Sequence, residues 1–105
     1  MDEQKIQEMQ MLEQNLQNLL MQKQSFQMEL SETESALEAI KSSGDEVFKI
    51  IGQLMIKAEK SSMNEELENK KKMIELRIKT MDSQESSLTE QLEKLREEIM
   101  KTAKK

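Results

Sequence analysis

Apolar residues recur at alternating spacings of three and four along two long stretches of this chain. The first ladder is Met9, Leu12, Leu16, Leu19, Lys23, Phe26, Leu30, Thr33, Leu37 and Ile40. The second is Leu67, Lys71, Ile74, Ile78, Met81, Glu85, Leu88, Leu92, Leu95, Ile99 and Thr102. A repeat averaging about 3.5 residues over this many heptads is the seam of a coiled coil. The ladders therefore predict two long helices, each with one stripe to bury.

The composition of the chain is typical of long helices. Charged and hydrophobic residues each make up 35% of the 105 residues, and there are only two glycines and no proline. High charge with few aromatic residues also marks disordered chains, but a disordered segment would not keep a phased apolar stripe. We expect helices over residues 1–41 and 61–105, with Gly44 as a left-handed C-cap of the first and a capping box from Ser62 to Glu65 opening the second.

Residues 42–60, between the helices, have the pattern of a β-hairpin. Two runs of β-favouring residues, 47–51 and 54–58, flank a turn at Gly52-Gln53, where glycine readily adopts positive φ. Apolar side chains lie on both faces of these short strands, and a lone two-stranded hairpin is marginal in water. The segment is therefore predicted to be an oligomerisation element. A continuous helix through it is the weaker alternative.

A hairpin at this position folds the chain back on itself, so that the two ladders can pair within one molecule. The predicted fold class is mainly α: a single domain, 1–105, with a long antiparallel two-helix coiled coil and a central β-hairpin. In that register Phe26 faces Ile78, and both termini lie at the tip far from the hairpin. An intermolecular coiled coil is the alternative.

Several classes of chemistry lack the residues that they need. The chain has no histidine and no cysteine, and its two glycines do not fit a phosphate-binding loop. No basic stripe with aromatic residues suits a nucleic acid, and no apolar run approaches the length of a transmembrane helix. We expect no enzyme activity, no catalytic residues, no cofactor, no metal, no nucleic-acid or membrane partner, and a cytoplasmic location.

Four polar residues interrupt the ladders: Lys23, Thr33, Lys71 and Glu85. A polar residue at a seam position lowers stability but disfavours wrong alignments of the helices. We interpret these residues as register-setting positions. Lys23 and Glu85 are close enough across the predicted seam to form a pair.

Methionine is frequent, with ten in the chain, and Met11, Met21, Met28 and Met100 are among those that lie off the ladders. Methionine side chains are flexible and polarizable, so exposed methionines can repack around varied apolar partners. Together with Leu20 and the ladder residues near the termini, they suggest an adaptable apolar surface for unfolded polypeptide at the tip.

The hairpin resembles that of the β-type subunits of prefoldin, a hexameric chaperone of archaea and eukaryotes. The matching stretch has an aromatic-Lys-x-x-Gly core followed by three apolar residues and a base: Val47-Phe48-Lys49-Ile50-Ile51-Gly52-Gln53-Leu54-Met55-Ile56-Lys57. Shorter matches in the helices are Gln22-Lys23-Gln24, Ala36-Leu37-Glu38, Glu65-Glu66-Leu67, Glu75-Leu76-Arg77 and Gln84-Glu85. Phe48 departs from the family, in which tyrosine is common at this position.

The resemblance implies an ATP-independent holdase in which two α-type and four β-type subunits join their hairpins into an oligomeric β-barrel. Its partners would be α-type subunits, other β copies, unfolded proteins and a group II chaperonin that receives them. The implied assembly residues are Val47, Phe48, Ile50, Ile51, Gly52, Leu54, Met55 and Ile56. The implied client-binding residues at the tips are Met9, Met11, Leu12, Leu16, Leu19, Leu20, Leu92, Leu95, Ile99 and Met100. The α-type subunits of the family carry two hairpins, and this chain has room for one.

Two alternatives stay open from sequence. One is a structural coiled-coil scaffold that tethers partners without holding unfolded chains, although a tether has no need of an apolar two-faced hairpin. The other is a divergent prefoldin-like subunit of a different assembly, without client holding.

Overall fold

The computed structural model describes residues 3–103, which form two helices and a two-stranded sheet between them. Helix α1 spans Glu3–Ser42, strand β1 Val47–Ile51, strand β2 Leu54–Ala58 and helix α2 Lys60–Ala103. Neither helix contains proline or glycine, and both are rich in strong helix formers such as Leu, Glu, Gln, Lys and Met. The predicted two-helix fold with a central hairpin is confirmed, and a continuous helix through the hairpin region is excluded.

The chain divides into two compact units, each containing part of both helices. The first unit joins α1 as far as Ser25 to α2 from Ile78 onwards. Lys5 Nζ lies 3.6 Å from a carboxylate oxygen of Glu98. Farther along α1, Lys23 Nζ lies 2.5 Å from a carboxylate oxygen of Asp82. Because the later residue of α1 contacts the earlier residue of α2, the helices of this unit are antiparallel.

The second unit comprises Phe26–Arg77 and therefore contains the hairpin. The guanidinium of Arg77 lies over the ring of Phe26, 5.5 Å from its centre. Lys70 Nζ lies 3.6 Å from a carboxylate oxygen of Glu29. The helices are again antiparallel, and Phe26 meets α2 within one residue of the predicted Ile78.

The predicted ladders are the buried seams of both units. Every ladder residue from Met9 to Ile99 is buried or half-buried, and most residues between them on the helices are exposed. Thr102, the last position of the second ladder, is exposed. The residues with least exposure are Thr33, Leu37, Ile40 and Ile74 in the second unit and Leu19, Leu92 and Leu95 in the first.

The C-terminal end of α1 differs from its prediction. Gly44 does not adopt positive φ, so the predicted left-handed cap is wrong. Instead the Ser43 amide donates to the carbonyl of Ile40 at 3.2 Å, and the Ser43 hydroxyl donates to the same oxygen at 2.8 Å. Because these two bonds satisfy a carbonyl of the last turn, the helix ends without a left-handed residue.

The predicted capping box of α2 is also wrong. The Met63 amide donates to the carbonyl of Glu59 at 3.0 Å, which makes Glu59 the N-cap and puts Ser62 inside the first turn. The reason is that β2 ends at Ala58. No linker remains in which the serine could precede the helix.

Candidate assembly site

The hairpin is held in register by five paired positions and a two-residue turn. Val47 pairs with Ala58, Ile50 with Met55, and Ile51 with Leu54 at the turn. Gly52 has φ of 60°, and no other residue between 3 and 103 has positive φ. Positive φ at the first turn position alone is the pattern of a type II′ turn, whose twist matches that of the strands. The predicted role of Gly52 at a tight corner is confirmed.

The pairing assigns the apolar side chains to two faces. Directly paired residues share a face of an antiparallel sheet, and successive residues alternate between faces. The Ile50 face carries Phe48, Ile50, Met55 and Lys57. The Ile51 face carries Val47, Lys49, Ile51, Leu54, Ile56 and Ala58.

Both faces leave large apolar side chains in water. Ile50 and Met55 are 69% and 67% exposed, and Leu54 on the other face is 66% exposed. Phe48, Ile51 and Ile56 are also exposed. A contiguous exposed apolar surface on a small protein marks an interaction site. Of the eight predicted assembly residues, all except Val47, which is half-buried, lie open to a partner.

Polar contacts fix the base of the hairpin to the helices of its unit. Lys49 Nζ on β1 donates to a carboxylate oxygen of Glu66 on α2 at 2.7 Å. Lys60 Nζ at the start of α2 donates to the carbonyl of Ser43 at 2.8 Å. These contacts join β1 to α2, and the start of α2 to the segment that follows α1. Sequence reasoning missed the role of Glu66, since nothing in the helical pattern indicates that β1 reaches it.

A charged cluster lies in the seam of the first unit. Lys23 Nζ contacts Asp82 at 2.5 Å and Glu85 at 3.5 Å. The hydrogen bond to Asp82 raises the pKa of the Lys23 ammonium above its ordinary value of 10.5; the negative charges of Asp82 and Glu85 act in the same direction, and partial desolvation opposes them. The predicted pair of Lys23 with Glu85 is confirmed, but the shorter contact is to Asp82, which the ladder did not include.

The buried Thr33 in the second unit satisfies its hydroxyl locally. Its Oγ1 donates to the carbonyl of Glu29, one turn earlier on α1, at 2.8 Å. A polar seam residue whose hydroxyl is bonded within its own helix adds little directional pairing across the seam. In the part of the chain that the structure describes, Lys23 is therefore the seam residue with the clearest means of setting register.

The ten predicted client-binding residues all lie in the first unit but differ in accessibility. Met11, Leu20 and Met100 are exposed. The others occupy the seam: Leu19, Leu92 and Leu95 are buried, and Met9, Leu12, Leu16 and Ile99 are half-buried. Three of the ten are thus open to a ligand in this structure.

Within residues 3–103, neither helix has a stretch long and apolar enough to cross a membrane. A two-faced apolar hairpin carried on paired helices defines a subunit of a larger protein assembly, with its sheet as the joining element.

Comparison with known proteins agrees with that class. A family model described as prefoldin subunit matches residues 3–105. The prefoldin subunit beta of Pyrobaculum aerophilum is 41% identical over 88 residues, covering 82% of this chain and 70% of its own. That of Saccharolobus islandicus is 37% identical over 92 residues, covering 86% and 73%.

A solved structure extends the comparison to the fold. The crystal structure of the prefoldin beta subunit from Thermococcus strain KS-1 matches with a TM-score of 0.87 and 33% identity, covering 93% of this chain and 88% of that one. The chain belongs to the prefoldin subunit family. Members of this family are non-enzymatic chaperone components that assemble with other prefoldin subunits.

Proposed function

We propose that this chain is the β-type subunit of an ATP-independent holdase that works in the cytoplasm. Its whole length acts as one domain, and it assembles as four copies with two α-type prefoldin subunits. The observation that carries the proposal is the hairpin, which exposes apolar side chains on both faces in a chain that belongs to the prefoldin family.

The edges of the sheet support a shared β-barrel as the form of the assembly. The sheet has two strands, so each strand is an edge with unpaired main-chain groups. Joining hairpins edge to edge into a closed barrel removes every edge and buries one face of each hairpin. A closed ring also leaves the second face for contacts with the helices or with neighbouring subunits.

The exposed apolar residues of the first unit support client holding. Met11, Leu20 and Met100 offer flexible side chains without disturbing the seam. Of the remaining seven predicted residues, Met9 and Ile99 lie within about two turns of a helix end. They become accessible where the ends of the helices fray, since terminal turns open at little cost in free energy. A non-native polypeptide bound there is passed on to a group II chaperonin.

The experiment that tests assembly is native mass measurement of the chain purified from its own cells, with identification of co-purifying proteins. Four copies of this chain with two of a longer prefoldin subunit is the expected result. A homodimer, or a complex with unrelated proteins, contradicts the proposed assembly.

Client holding is tested on the same complex by suppression of aggregation of a denatured protein diluted from guanidinium. The variant Met11→Ser/Leu20→Ser/Met100→Ser should suppress aggregation several-fold less well, with assembly intact. Met28→Ser/Met73→Ser replaces equally exposed methionines of the second unit and should behave as the parent protein does. Addition of ATP should change nothing.

Seven of the ten predicted client residues are buried or half-buried in the seam, which favours a second candidate, a structural scaffold that does not hold clients. A scaffold would form the same barrel and the same helix pairs. If the chain is such a scaffold, the assembled parent protein would not suppress aggregation. The triple serine variant would then give the same result as the parent protein.

A further inference from the structure

One length of the first unit has almost no free charge. Residues 14–25 of α1 contain a single charged residue, Lys23, and residues 83–89 of α2 contain a single one, Glu85. The chain as a whole is 35% charged, so about seven charges would be expected in these 19 residues at that composition. Lys23 is held in the seam by Asp82 and Glu85. These three charges contact one another and sum to −1, so the exposed surface formed by the other residues of the two stretches is uncharged.

A groove of about 400 Å³ lies on this neutral surface. Its apolar residues are Leu19, which is buried, and Leu88, which is half-buried. Both helices also contribute polar, uncharged residues: Asn15, Asn18 and Gln22 from α1, and Gln84 and Ser87 from α2. We call it the amide groove.

Most of the amide groups of this groove are not used by the fold. Within residues 3–103 the side chains of Asn15, Gln22 and Gln84 have no hydrogen-bond partner in the protein. Asn18 Oδ1 accepts from Gln14 Nε2 at 3.3 Å, which leaves its NH₂ group to donate. Each carboxamide offers two donors and an acceptor. The groove thus presents both donors and acceptors beside apolar side chains.

We propose that the amide groove binds the main chain of an extended segment of a non-native polypeptide. This inference rests on the proposed client holding and adds a ligand class and a site to it. A non-native segment carries free N–H and C=O groups, which side-chain amides can pair with in either chain direction. Asn15 and Gln22 are separated by about 10 Å along α1, which is the length of about three residues of extended chain.

The neutrality of the groove fits this ligand better than it fits a charged one. A holdase must bind segments of either sign, and a charged wall would repel half of them. Neutral amides can hydrogen-bond to the main chain, which all segments share, while Leu19 and Leu88 can contact an apolar side chain of the segment. A helix of another subunit could engage the amides only through its side chains, because its main-chain groups already bond within the helix.

The test uses a short, uncharged, apolar peptide and the same peptide with alternate amide nitrogens methylated. Methylation removes main-chain donors and leaves the side chains in place. Bound to the assembled, full-length protein, the methylated peptide should be about tenfold weaker, the effect of losing one to three hydrogen bonds. The variant Asn15→Ala/Gln22→Ala/Gln84→Ala should bind the unmethylated peptide about tenfold more weakly and show no further loss on methylation.

A matched control replaces amides outside the groove. Gln17 and Gln24 are exposed residues of the same part of α1 that do not line the groove. The variant Gln17→Ala/Gln24→Ala should keep both the affinity and the methylation effect of the parent protein. A photo-reactive residue at position 22 should label the peptide, whereas one at position 24 should not.

The outcomes separate this inference from the proposed function. If the parent complex suppresses aggregation of a denatured protein but binds both peptides equally, the amide groove is not a main-chain site and client holding still stands. Labelling of another subunit from position 22 also overturns the inference. If the parent complex neither suppresses aggregation nor binds either peptide, the proposed function fails, and the inference fails with it.

Discussion

Placing aspartate at Ile50 and Met55 tests whether the exposed hairpin is the joining surface. The two residues are directly paired on the Ile50 face and are 69% and 67% exposed. Burying an apolar side chain of this size contributes about 1.5–3 kcal/mol. Since about two-thirds of each remains to be buried, assembly gains roughly 2–4 kcal/mol per subunit from the pair. Buried carboxylates would add a further cost.

A loss of roughly 2–4 kcal/mol per subunit lowers the association constant by about 30- to 700-fold for each subunit added. Native mass spectrometry over a dilution series should therefore show Ile50→Asp/Met55→Asp dissociated at concentrations where the parent complex is intact. Helicity by far-ultraviolet circular dichroism should stay nearly unchanged, because both side chains are already exposed in the isolated chain.

The control variant is Met28→Asp/Met73→Asp, which places the same charges at methionines that are 63% and 61% exposed on the helices of the same unit. It should assemble normally. Ile51→Asp/Leu54→Asp applies the same change to the opposite face, and the greater loss identifies the face inside the barrel. If Ile50→Asp/Met55→Asp assembles at the concentrations of the parent protein, the Ile50 face is not part of an interface.

Three further predictions concern the fold itself. Gly52→Ala should lower the free energy of unfolding by about 1–2 kcal/mol, because residue 52 has positive φ. Gly44→Ala should be neutral or slightly stabilising, because Gly44 has no positive φ and an added Cβ would have nothing within 4 Å. Urea unfolding of both variants measures this, and the reverse order of stability would refute it. Ile74→Ala truncates a side chain that is 4% exposed and should lower the free energy of unfolding by about 2–5 kcal/mol. Met73→Ala, at an exposed position, should lower it by less than about 0.5 kcal/mol. Thermal unfolding of the two variants measures the difference. Because the pKa of Lys23 is raised, its ion pairs stabilise the fold fully below pH 10.5 and are lost as the pH rises through the folded-state pKa. The difference in unfolding free energy between the parent protein and Lys23→Met should therefore change above pH 10.5. A constant difference through the alkaline range would contradict the role of the cluster.

The sequence was most informative where one physical requirement acts on many residues. A coiled-coil seam must repeat at about 3.5 residues, so the ladder from Met9 to Ile40 identified its buried positions without any structure. The hairpin was equally clear, because Gly52 and its β-favouring neighbours all point to one turn. Such agreement among independent local signals is what makes an element predictable.

The errors fall where a single residue has several ways to satisfy the backbone. Gly44 was a plausible left-handed cap, but the hydroxyl of Ser43 donates a hydrogen bond to the Ile40 carbonyl instead. A capping box at Ser62 had the right residue types, but the N-cap of α2 is Glu59, three residues earlier. Helix ends are decided by a few competing hydrogen bonds, each worth about 1 kcal/mol, and composition does not rank them.

Contacts between helices were predictable only in outline. The ladder indicated that Lys23 and Glu85 lie near each other, but Asp82, which follows the ladder position Met81, makes the shorter contact. The amide groove was missed for a related reason. Its signal is a lack of charge on two stretches far apart in sequence, and its meaning depends on their lying side by side.

The distribution of apolar surface links folding of this chain to its assembly. Seven residues in the described chain fall in the least exposed class, and one of these is Thr33. The hairpin alone holds six large apolar side chains in water. A chain that buries little by itself and exposes a compact apolar sheet gains much of its stability from partners, because binding to the folded state alone adds to the free energy of unfolding. Its unfolding temperature should therefore rise with protein concentration, and the dependence should vanish in Ile50→Asp/Met55→Asp, in which the helix seams are intact and the joining surface is not.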